Sequence, residues 1–155
     1  MQEAGHKARL RSAFAAAFIW ACTTGTACAA DTAPPATATL SVTVRHIFDD
    51  AGGDLLIGVY DESGYKMKHG VPVAGRSVHA RSSTITVTFE NLPPGTYAVK
   101  AFQDLNGNGN FDVGVRGIEP YGFSTDPPVT VGLPQFDDVK FTLTAGANSI
   151  ELTLH

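Results

Sequence analysis

The sequence predicts an all-β fold, an antiparallel sandwich of about seven strands of the transthyretin or immunoglobulin kind. Three observations carry this. Short segments alternate apolar and polar residues with period two. Clusters of Gly, Pro, Asn and Asp separate those segments. Beyond residue 30, no apolar i, i+3, i+4, i+7 pattern persists long enough for a substantial helix.

The first 29 residues read as a secretory signal peptide: basic Lys7, Arg9 and Arg11, the apolar run Ala13 to Ala21, and the small-residue site Ala27-Cys28-Ala29. Cleavage is expected near Ala29 or Ala30. The run is far too short for a membrane span of about 20 residues. Cys22 and Cys28 each follow an alanine, but neither has the leucine-like and small residues before it that lipid attachment needs. The expected location is therefore the periplasm or the medium.

Cleavage removes both cysteines and Trp20, so the mature chain has no disulfide and no thiol chemistry. Taking Glu3, Lys7, Arg9 and Arg11 from 11 basic and 15 acidic residues leaves 8 against 14, a formal charge of −6. A surface of that sign repels nucleic acid and anionic lipid.

Residues 30–39, rich in Pro, Ala and Thr, form an extended linker, and 40–155 the sandwich domain. Leu40, Val42 and Val44 give a first strand, and Leu55, Ile57 and Val59 a second. The Asp49–Gly53 turn cluster between them reads as a hairpin. Asp61 to Gly70 is irregular, and Val71 to Ala80 is an edge strand because Pro72 and Gly75 disfavour a central one. Ile85, Val87 and Phe89 form the next strand, and Tyr97, Val99 and Ala101 the one after it. Between them Leu92-Pro93-Pro94-Gly95 reads as a type II turn with Pro94 and Gly95 at its centre. Gly114 to Leu133 is a long connection. Val139, Phe141 and Leu143, then Ile150, Leu152 and Leu154, close the chain as a second hairpin, with Asp137-Asp138 starting a strand or bounding a turn.

ITVTFENLPPGTYAVKAFQDLNGNGNFD, YGFS at Tyr121 to Ser124, PQFDDVKFTL and NSIELTL together resemble an uncharacterised bacterial secreted family, domain of unknown function 2141. The resemblance covers Leu40 to Leu154 and implies an exported sandwich; it brings no catalytic residues. The LPPGTY piece alone is similar to transthyretin-like and carboxypeptidase-regulatory sandwiches, which are accessory or binding modules.

Asp104, Asn106, Asn108, Asn110 and Asp112 occupy positions 1, 3, 5, 7 and 9 of a calcium-type loop, with Gly109 at 6. Val115 stands where the bidentate Glu belongs, so the same residues also read as a plain turn of Asn and Gly. Calcium is the candidate cofactor, with a stiffening role. Tyr65, Tyr121 and Phe123 lie on irregular segments and are candidates for a ligand-stacking patch. Tyr97, Phe89, Phe102 and Phe141 alternate on strands and read as core.

Enzyme signatures are mostly missing: no G-x-S-x-G, H-E-x-x-H or phosphate loop occurs. His79 shares a strand face with Ser77 but has no acid beside it in sequence to orient it. The leading expectation is a non-enzymatic exported module that binds a protein or glycan partner or serves an envelope assembly. Its rivals are a carbohydrate-binding module and a small hydrolase, the latter requiring at least two of His79, Glu119, Asp126 and Asp137 to converge on one pocket.

Overall fold

The computed structural model describes residues 36–67, 70–114, 117–128 and 132–155; the segment expected to be a signal peptide and most of the expected linker lie outside them. Its strands are β1 (Ala38–Arg45), β2 (Asp54–Tyr60), β3 (Ala74–His79), β4 (Thr84–Leu92), β5 (Gly95–Asp104), β6 (Val113–Gly114), β7 (Gly117–Ile118), β8 (Tyr121–Phe123), β9 (Phe141–Leu143) and β10 (Gly146–Thr153). Two short helices, α1 (Glu62–Lys66) and α2 (Phe136–Val139), interrupt them.

One sheet runs β10-β1-β4. The other runs β3-β2-β5-β8, with β9 also on β5, and β6 and β7 form a separate ribbon. The two larger sheets make the sandwich that the alternation predicts, because each has one apolar face to bury. Leu40, Val42, Val44 and Leu152 meet Leu55, Val59, Val99 and Leu143 in one core cluster. Each is at most 1% exposed, and burial of such a side chain stabilises by roughly 1.5–3 kcal/mol. β3 is an edge strand, as Pro72 and Gly75 predict.

The expected hairpins take another form. β1 pairs with β4 and β10, whereas β2 pairs with β3 and β5. β9 pairs with the start of β5, while β10 runs parallel to β1. The connections after β1, β4 and β9 are thus corners that carry the chain from one sheet to the other. A strand with one buried face has the same alternation whether its neighbour lies beside it or across the core, so the pattern cannot distinguish the two.

At the β4–β5 corner the left-handed residue is Asn91 (φ 58), not Gly95. Gly95 serves a close approach instead: a Cβ there would lie 3.2 Å from the Tyr97 ring, whose hydroxyl donates to the Pro93 carbonyl at 2.9 Å. This is a tyrosine corner, in which a buried phenol locks the chain where it changes sheets. At the β9–β10 corner the Asn148 side chain does the bracing, accepting from Thr144 N and donating to the carbonyls of Thr144 and Gly146.

Three further differences bear on the site. Asp137 and Asp138 lie in α2, where the Asp138 carboxylate accepts the Gln135 N–H at 3.0 Å and so caps the first turn. Tyr121–Phe123, expected within a connection, is β8, paired antiparallel to Lys100–Phe102. Phe102 is not core: it shares the outward face of β5 with Ala98 and Lys100 and is half-buried. That outer face is partly covered, since α1 and α2 lay Tyr65, Phe136 and Val139 over Ala98 and Phe123 as a second small core.

Candidate functional site

The uncovered part of that outer face is a groove of about 520 Å³. Its floor follows from the register. Gly75 of β3, Gly58 of β2, Lys100 of β5 and Phe123 of β8 stand side by side. Two adjacent glycines leave the sheet bare beside a lysine. A Cβ at Gly58 would fall 2.6 Å from the ring of Tyr60, which folds back over the glycine, so a larger residue there would have to push that ring aside. In the next row Leu56, Phe102 and Tyr121 are aligned.

Aromatic rings form the walls. Phe102, Phe111, Tyr121 and Phe123 make a continuous edge-to-face chain with centroid separations of 5.7, 5.2 and 5.7 Å. Phe102, Phe111 and Tyr121 are half-buried. Exposed Met67 and Leu133 extend the apolar rim.

Lys100 is the cation of the groove. Its Nζ donates to the Tyr65 carbonyl at 3.1 Å and lies 3.9 Å from the Tyr65 ring centroid and 4.8 Å from that of Tyr60. Among the described residues no carboxylate lies within 4.0 Å of it. Burial holds its pKa below the usual ammonium value. Burial, reinforced by the charge of Asp138, pushes the Tyr65 phenol up to about 12, so Tyr65 remains a neutral donor to the Pro134 carbonyl at 3.0 Å.

The loop between β5 and β6 supplies another wall through Gly109, Asn110 and Phe111. The buried Asp104 carboxylate accepts from the backbone N–H groups of Gly107 at 2.7 Å, Asn108 at 3.2 Å and Gly109 at 2.6 Å. Desolvation works against its charge, but those bonds outweigh it and hold the pKa below the ordinary carboxylate value. Asn106 and Asn108 both turn their amide nitrogens to Asp112 Oδ2, at 2.5 and 2.6 Å. The Asn110 amide turns to the Asn108 carbonyl. Buried Glu119 closes the base, accepting from Leu105 N and Asp112 N.

The sequence of this domain matches one family description, that of an uncharacterised protein conserved in bacteria, DUF2141, over residues 42–151. The chain belongs to the DUF2141 family. No curated protein and no solved structure matches it. The DUF2141 match begins in β1 and ends in β10, so it takes in both sheets, the groove and the Asp104–Asp112 loop.

Within this DUF2141 domain the three expected stacking residues separate. Tyr121 and Phe123 line the groove, Phe123 being 7% exposed. Tyr65 does not line it; the ring is buried against Phe136 at 5.6 Å, and the Lys100 ammonium occupies one of its faces. The four titratable groups named for a hydrolase are engaged apart from one another. His79 Nδ1 meets Asp54 at 2.8 Å, Glu119 the loop backbone, Asp126 the N–H and hydroxyl of Thr153, and Asp137 the Lys140 ammonium. His79 therefore has an acid beside it after all, contributed across the sheet by Asp54. Ser77 also points to Asp54, at 3.4 Å, and all three side chains are exposed on the edge.

Lys100, Tyr60, Phe102 and Phe111 were not singled out as site residues by the sequence reasoning. A signal for Tyr60 existed: Gly-x-Tyr on a strand, with the ring laid back on the glycine, occurs at both Gly58–Tyr60 and Gly95–Tyr97.

Proposed function

We propose that this protein is an exported, non-enzymatic binding module whose ligand is a small, largely apolar molecule held in the groove on the outer face of the five-stranded sheet. The observation that carries the reading is a concave site of about 520 Å³ walled by half-buried aromatic rings, a size and lining suited to small-molecule capture. Phe102 and Phe111 belong to neither core cluster, so core packing does not account for their half-exposed arrangement. The calcium reading of the Asp104–Asp112 loop belongs to the same proposal. Asn106, Asn108 and Asp112 converge on one point; an ion there would have to displace the bonds that the Asn106 and Asn108 side-chain oxygens accept from Asn108 N and Asn110 N. An ion would then stiffen the wall that carries Phe111.

The test is fluorescence titration of residues 31–155 with an uncharged naphthylamine probe. Saturable binding, weakened by Phe102→Ala and by Tyr121→Ala, is expected. A linear, non-saturating signal from a folded protein would remove the reading, and saturable binding of soluble glycans in its place would favour the carbohydrate-binding alternative.

A further inference from the structure

Resting on the groove reading, we infer that the ligand is a monoanion, a carboxylate on a flat apolar body, and that Lys100 receives its charge. The position of Lys100 is the reason. A lysine on an outward strand position can normally extend into water, yet this one is folded into the groove floor between the rings of Tyr60 and Tyr65. Of the three N–H bonds of its ammonium, the Tyr65 carbonyl takes one. The ring faces contribute attraction without accepting in-line hydrogen bonds. Donor capacity thus remains beside the open space above Gly58 and Gly75.

The charge balance selects a single negative charge. Lys100 is the one ammonium among the described residues that line the groove. Arg76 also touches the rim, but its guanidinium lies 5.9 Å from the Phe89 ring centroid and donates to the Gly75 carbonyl. A dianion such as a phosphate monoester would bring a second charge with no second ammonium among the described lining residues, against a mature chain of formal charge −6. A carboxylate suits one ammonium. The aromatic walls and the apolar rim at Met67 and Leu133 leave the remainder of the ligand apolar.

The test compares two molecules with one body, naphthylacetate and naphthylacetamide, as competitors of the uncharged naphthylamine probe. The carboxylate is expected to bind wild type about tenfold or more tightly than the amide, the scale of one hydrogen bond to a charged group. In Lys100→Met that preference should vanish, the carboxylate losing more affinity than the amide, and Lys100→Arg should restore part of it. Equal affinities of acid and amide for wild type would overturn the inference, whatever the variants do, and leave the apolar groove standing. Failure of wild type to bind even the uncharged probe would remove the groove reading and this inference with it.

Discussion

The Tyr97 hydroxyl donates to the Pro93 carbonyl at 2.9 Å, fastening the strand that enters the five-stranded sheet to the corner it has just left. Tyr97 is 7% exposed while Pro93 lies at the surface, so the bond is part-buried. Tyr97→Phe is expected to lower stability by about 1 kcal/mol. Urea unfolding should show a lower midpoint with an unchanged slope; an unchanged midpoint would make the bond incidental.

Gln103 is fully buried and joins β5 to the turn after β1. It accepts from Phe48 N at 2.9 Å and donates to the carbonyls of Phe48 and Gly52 at 2.8 and 2.6 Å. Gln103→Leu keeps the bulk but strips Phe48 N and the Gly52 carbonyl of their partner, the Phe48 carbonyl keeping Ala51 N, so a loss on the order of 2 kcal/mol is expected. Thermal unfolding of the variant beside wild type measures it.

The direction of the Asp104 pKa fixes the sign of an acid effect. Its folded value lies below the unfolded one, which is about 3.9. Its contribution to stability is therefore complete above that pH and is lost as pH falls through the folded value. The stability difference between wild type and Asp104→Asn, followed by denaturant titration from neutral to acid, should shrink below about pH 4. A difference that stays constant would show that the carboxylate charge contributes nothing.

Two glycines should respond differently to the same added methyl group. At Gly58 the obstacle is the Tyr60 ring at 2.6 Å, the end of a side chain that can swing aside. Gly58→Ala should weaken probe binding with little change in melting temperature. At Gly122 the obstacle is the Thr153 carbonyl oxygen at 2.3 Å, which is backbone. Gly122→Ala should destabilise by about 1–3 kcal/mol, and equal melting temperatures for the two variants would contradict this.

Calcium added to residues 31–155 in a calorimeter should give saturable heat of weak affinity, with Kd on the order of 10⁻⁴ to 10⁻³ M, because the loop offers few carboxylates. Asp104→Ala with Asp112→Ala should abolish it. Identical flat traces from both proteins would assign the loop to turn formation alone.

The sandwich and its expected strands were legible because alternation is a local property of each segment. Partnership was not. Leu92-Pro93-Pro94-Gly95 and Ala145-Gly146-Ala147-Asn148 carry the chemistry of tight turns, yet each spans the distance between sheets. β8 escaped notice because three residues with a central glycine, Tyr121-Gly122-Phe123, are too few to show a period. The loop chemistry of Asp104 to Asp112 was visible as a contiguous run. The groove was not, since Gly75, Gly58, Lys100 and Phe123 come from four strands and become neighbours only through register.

The parallel pairing of β1 with β10 bears on when the chain can fold. Ala38 is paired with Gly146, and Arg45 with Thr153, while the other neighbour of β1 comes from Thr84–Leu92. The smaller sheet is thus assembled wholly from distant segments, an arrangement of high contact order that folds slowly. A chain emerging from its N-terminus cannot complete that sheet until nearly its last residue is free. Its first strand must wait with an unsatisfied edge, so a truncation that removes the final dozen residues costs the domain its closure, not merely its tail.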